Sequence, residues 1–109
     1  MSEEQPNLSY IDKLAGEDME FKQRLLTILK EEFPLEQIEY LDSAAVQNAE
    51  RAAFVVHKLK HKFNILGMQQ GYRLAVDYEK ALQGGDFGLD KDFTKILGCI
   101  GDYLKTVKT

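Results

Sequence analysis

Apolar residues recur along this chain at intervals of three and four, with no sustained alternation of apolar and polar positions. That spacing predicts helices throughout. A short helix is expected from Tyr10 to Ala15, with Ser9 as its N-cap and Gly16 as its stop. Asp18 is placed to cap the next helix, whose apolar positions are Phe21, Leu25, Ile28 and Leu29. Pro34 either kinks that helix or begins a new one. The spacing resumes at Leu35, Ile38, Leu41 and Ala45, which favours one long, bent arm to about Val46. A third helix is expected from about Asn48 to Leu66, stopped by Gly67, and a fourth from about Met68 or Gln69 to Leu82. Gly84-Gly85 and Gly88 mark a turn. Asp90 or Asp92 then caps a last helix with Phe93, Ile96, Leu97, Ile100 and Leu104 on one face. Residues 1–8 read as a flexible tail, and 9–109 as one domain. Four substantial amphipathic helices with short connections predict an all-α fold, an antiparallel four-helix bundle with a short extra N-terminal helix.

Composition narrows the class. A chain of 109 residues, 44% hydrophobic and 29% charged, is the size and make-up of one soluble domain. No stretch approaches the ~20 apolar residues of a membrane span. The acidic, polar start MSEEQPNLS is not a signal peptide, so a cytoplasmic setting is expected. The opening Met1 and short tail point to a standalone protein. Cys99 is the single cysteine, which excludes an intramolecular disulfide and a CxxC site, and it reads as a small core residue. A net charge of −4 argues against a general nucleic-acid binder. The charge is unevenly spread. Between Arg51 and Val76 there is no Asp or Glu, and Arg51, Lys58, Lys60, Lys62 and Arg73 give that window +5. Both histidines, His57 and His61, lie inside it.

The third helix carries that window's chemistry. Ala49, Ala52, Val56, Leu59, Phe63 and Leu66 fall on one face. His57 lies roughly 130° from the middle of this stripe and His61 almost opposite it. Asn64 and Ala53 share the His57 side, and Lys60 sits between that side and the core. His57 is therefore expected to be accessible, on a rigid helix, with a lysine one turn further on. By spacing alone, a lone histidine on a polar helix face is ordinarily a solvated residue, and a run of lysines a solvated face.

The segment from Ala53 to Gly67 resembles the histidine phosphotransfer domains of multistep two-component phosphorelays. Their motif is His-x-Leu-Lys-Gly with a further glycine six residues on; His57, Leu59, Lys60 and Gly67 stand in those places. The stretch Leu14-Ala15-Gly16-Glu17-Asp18-Met19-Glu20-Phe21 is similar to the family's first-helix junction, and Leu25 to Pro34 is also similar. Tyr78-Glu79 matches a common Leu-Glu pair on the following helix. The resemblance covers about residues 9–105. The chain departs from the motif at His61, where the family has glycine. An imidazole there either crowds a docked partner or hydrogen-bonds to the phosphoryl group.

The resemblance implies that His57 is the phosphoacceptor. An imidazole titrating near ~6.5 is largely neutral and nucleophilic at neutral pH. It can attack an aspartyl phosphate and form a phosphoramidate. Lys60 would offset the phosphoryl charge of about −1.5 to −2. Glu79, or Gln69 or Gln70, is expected to face His57 from the next helix and orient its ring. Arg51, Lys58 and Lys62, with His61 and Asn64, read as contacts for a docking partner. The partners implied are receiver domains of hybrid histidine kinases and response regulators, whose sites are acidic and bind a divalent metal; a +5 window would steer that encounter. No Gly-rich phosphate loop or kinase ATP motif is present, so the expectation is a phosphocarrier rather than an ATP-using kinase, without a cofactor or metal of its own, and monomeric. Two rival readings remain. His57 and His61 are four apart, as in zinc helices, but residue 58 is lysine, not glutamate, and there is no third histidine. A helical adaptor that only binds a signalling partner would share the fold without the chemistry.

Overall fold

The computed structural model describes residues 4–109, all of whose regular structure is helical. The order is α1 (Ser9–Ala15), α2 (Met19–Ala45), α3 (Ala49–Ile65), α4 (Gln69–Gln83) and α5 (Asp90–Thr106). α3 packs on α2 and α4, α5 packs on α2 and α4, and α1 lies against α2. Among the described residues, no helix is long and apolar enough to cross a membrane.

Two side-chain caps start helices where the sequence placed them. Asp18 accepts the Phe21 N–H at 2.9 Å, and Asn48 accepts the Arg51 N–H at 3.1 Å. Each satisfies a donor that helix geometry leaves without an intrahelical partner. Asn48→Ala is expected to cost about 1 kcal/mol. A thermal melt should show it as a fall in Tm of roughly 4–8 °C.

Other expected caps belong to different residues. Ser9 is the first residue of α1, and its N–H donates to the Asn7 side chain at 3.0 Å. Asp90 opens α5 from inside the helix, where its carboxylate accepts from the Tyr40 hydroxyl instead of capping the backbone. The flexible tail expected over 1–8 is tied down in its described part, while residues 1–3 lie outside the described residues. The Asn7 N–H donates to the Leu66 carbonyl at 2.8 Å, and Glu4 accepts from the N–H groups of Gln70 and Gly71 at the start of α4. An acidic side chain at a helix N-terminus is favoured by the exposed N–H groups and the helix dipole. Gly67 makes the α3–α4 corner possible. Its φ is +76°, and a Cβ there would lie 2.6 Å from the Asn7 side chain.

Pro34 does not divide α2, which runs unbroken through it. The face of α2 that enters the core differs from the expected one. Leu26, Leu29, Phe33 and Tyr40 are buried, whereas Ile28, Leu35, Ile38 and Leu41 are exposed. α3 matches most of its expected stripe: Ala52, Val56, Leu59, Phe63 and Leu66 are buried, Ala49 only partly, and Val55 and Ala53, the latter expected on the His57 side, are buried with them. Phe93 of α5 is the hub. Its ring meets Tyr40 of α2 at 4.9 Å, Tyr78 of α4 at 5.3 Å and Phe63 of α3 at 5.5 Å between centroids. One aromatic cluster thereby fixes α3 and α4, which carry the candidate site, relative to the rest of the core.

Candidate functional site

His57 lies on the solvent side of α3, with its side chain 53% exposed. Glu79 faces it from α4. Its Oε2 is 2.9 Å from His57 Nδ1, and its Oε1 accepts from Lys60 Nζ at 2.8 Å. One carboxylate therefore joins two residues that stand one turn apart on α3. Burial works to raise the Glu79 pKa, but the hydrogen bonds and charges of Lys60 and His57 outweigh it and hold the carboxyl below its ordinary value. An ionised carboxylate only accepts hydrogen bonds. The His57 proton is therefore assigned to Nδ1, which leaves the lone pair of the neutral ring on Nε2. Of the candidates for this orienting role, Glu79 fills it. Gln70 instead stands at the first turn of α4, with its backbone bonded to Glu4.

The depressed pKa has a stability consequence. The folded state binds the Glu79 proton less readily than the unfolded chain does. The resulting stabilisation is complete above the unfolded carboxyl pKa of about 4.3 and is lost as pH falls through the lower folded value. Glu79→Gln should therefore flatten the acid limb of a urea-stability profile. The same variant no longer imposes the Nδ1–H tautomer, because a neutral amide can either donate or accept.

The other basic residues are arranged less simply than their spacing implied. Arg51 and Lys58 both reach Glu39 of α2, at 2.9 and 3.0 Å. Lys62, expected to be a docking charge, is buried on the α2 side of α3 and pairs there with Glu32 at 3.0 Å and Glu36 at 3.1 Å. It holds helices together and does not present charge at the surface. The +5 read along the chain is thus not a +5 face, because α2 and α4 supply the carboxylates that the window lacks. Asn64 is exposed. His61 is also exposed, and its ring stands edge-to-face against His57 with centroids 5.1 Å apart. Cys99, expected in the core, is half-buried, and its Sγ lies 3.6 Å from Gln5 Oε1.

Two contributors escaped sequence reasoning. Phe54, one turn before His57, is 63% exposed. Its signal was an aromatic lying off the core stripe. Glu39 had no signal along the chain, since its partners lie on another helix. Beside His57 runs an open groove of about 860 Å³, whose walls include Ala49, Ala53, Phe54, His57, Glu79 and Leu82. Asn48, Glu50, Arg51 and Gln83 also line it, so the groove beside the half-exposed imidazole mixes polar and apolar walls. Among the described residues no group of three His, Cys, Asp or Glu side chains could hold a metal ion. No protein-family model, curated protein or solved structure matches the chain.

Proposed function

We propose that this chain is a histidine phosphotransfer protein, taking a phosphoryl group from an aspartyl-phosphate receiver domain onto His57 and passing it to another receiver. The observation that carries this reading is the ion-paired Glu79 carboxylate on His57 Nδ1, which leaves Nε2 as the nucleophile on a half-exposed ring. In the transfer step the Nε2 lone pair attacks phosphorus, and a P–N bond forms as the bond from phosphorus to the aspartyl oxygen breaks. The electron pair leaves with the aspartyl carboxylate. The Nδ1 proton stays shared with Glu79, which offsets the positive charge the ring gains. The step needs mainly positioning and charge stabilisation, which suits a carrier without ATP chemistry of its own.

The architecture that goes with this reading is an antiparallel four-helix bundle with α1 as an extra N-terminal helix, acting in the cytoplasm as a monomer. The groove beside His57, with Phe54 on its wall, is where we place the receiver. The test is incubation with a phosphorylated receiver domain. Acid-labile, alkali-stable phosphate should appear on the chain as it leaves the receiver. A chain that stays unlabelled by several phosphorylated receivers, and by a small phosphoryl donor, would refute the reading.

A further inference from the structure

His57 is bracketed on its two sides. Glu79 reaches it from α4 at the Nδ1 edge, and Lys60 joins that same carboxylate. His61 stands about 40° further round α3, on the side away from α4, and its ring touches the His57 ring. A phosphoryl group on Nε2 would bring about −1.5 to −2 charge and three acceptor oxygens to the edge opposite Glu79. The Lys60 ammonium is held on the Glu79 carboxylate, which sits at the Nδ1 edge. His61 is the side chain set against the ring itself, and a protonated imidazole donates from both nitrogens.

We propose that His61 is a phosphoryl-binding residue, whose imidazolium donates a hydrogen bond to the phosphoryl group carried on His57 Nε2. This rests on His57 being the acceptor. His61 positions the group and does not carry it. Of the cations on α3, Lys60 is paired with Glu79 from α4, and Arg51, Lys58 and Lys62 with Glu39, Glu36 and Glu32 from α2. The phosphoryl dianion would therefore be the new charge that His61 meets on phosphorylation.

The coupling is reciprocal, and that makes it testable. The intact chain is phosphorylated with phosphoramidate, a small donor whose ammonia leaves, and both partners are titrated by NMR. Attaching the phosphoryl group should raise the His61 midpoint by up to about one pH unit. In turn, His61→Ala should raise the phosphorus-detected ionisation midpoint of the phosphohistidine by a matching amount. His61→Gln, a donor without charge, should not restore that midpoint. If His57 is labelled but the two midpoints ignore each other, the His61 proposal is overturned while the acceptor assignment stands. If His57 cannot be labelled at all, the assignment beneath it falls as well.

Discussion

His57→Gln should reduce phosphoryl uptake from a phosphorylated receiver by at least about a hundredfold, to background, while the helical signal stays at its wild-type level. Glutamine keeps much of the length and polarity of histidine, and its side chain can still bond to Glu79. What it lacks is a ring nitrogen with a free lone pair, since its amide nitrogen is delocalised into the carbonyl. The substituted side chain is half exposed, and surface changes of this kind usually alter stability by no more than ~0.5 kcal/mol. Loss of uptake would then report chemistry and not unfolding. His61→Ala, in the same assay, should keep its label. A His57→Gln protein that still carried acid-labile phosphate would refute the assignment. Label retained in His57→Gln but lost in His61→Ala would move the acceptor role to His61.

The histidine was legible because α3 has one apolar stripe and one solvent side. Ala52, Val56, Leu59, Phe63 and Leu66 define the centre of the buried face, and His57 falls outside it by angle alone. α2 was not legible in the same way, because it is apolar on two faces. Leu26, Leu29, Phe33 and Tyr40 face the core, while Ile28, Leu35, Ile38 and Leu41 keep an equally good helical spacing facing outward. Periodicity cannot rank two such stripes. The glutamates between them could have, since Glu32, Glu36 and Glu39 must lie where α3 brings its lysines and arginine. Lys62 was misread for the same reason: its angle on α3 gives burial only once the position of α2 is known. Glu79 came from the resemblance, because a partner on another helix leaves no trace in the spacing around His57.

The second large effect is on stability in alkali. Tyr40 is fully buried, and its hydroxyl donates to Asp90. Tyr78 is also fully buried and lies 2.7 Å away, so with the Tyr40 proton committed, the Tyr78 hydroxyl donates to Tyr40. Burial pushes both phenols above their ordinary value. For Tyr40 the bonds to Asp90 and Tyr78 add to the rise; for Tyr78 the bond to Tyr40 opposes it, while the charges of Asp90 and Asp86 support it. The folded chain thus keeps phenolic protons that the unfolded chain releases above about pH 10. The stabilisation is complete below that value and is lost as pH rises. The slope is about 1.4 kcal/mol per pH unit for each tyrosine still protonated in the fold, or up to about 2.7 for the pair. Lysine side chains in general ionise near this region, so the diagnostic is a difference between proteins. In urea titrations at rising pH, Tyr40→Phe should start about 1–3 kcal/mol lower at neutral pH, because Asp90 loses one of its donors and the buried Tyr78 hydroxyl loses its acceptor. Its alkaline slope should then be shallower than wild type by about 1.4 kcal/mol per unit. Equal slopes would mean that Tyr40 ionises in the folded state, and that the Tyr78–Tyr40–Asp90 chain does not hold its protons against solvent.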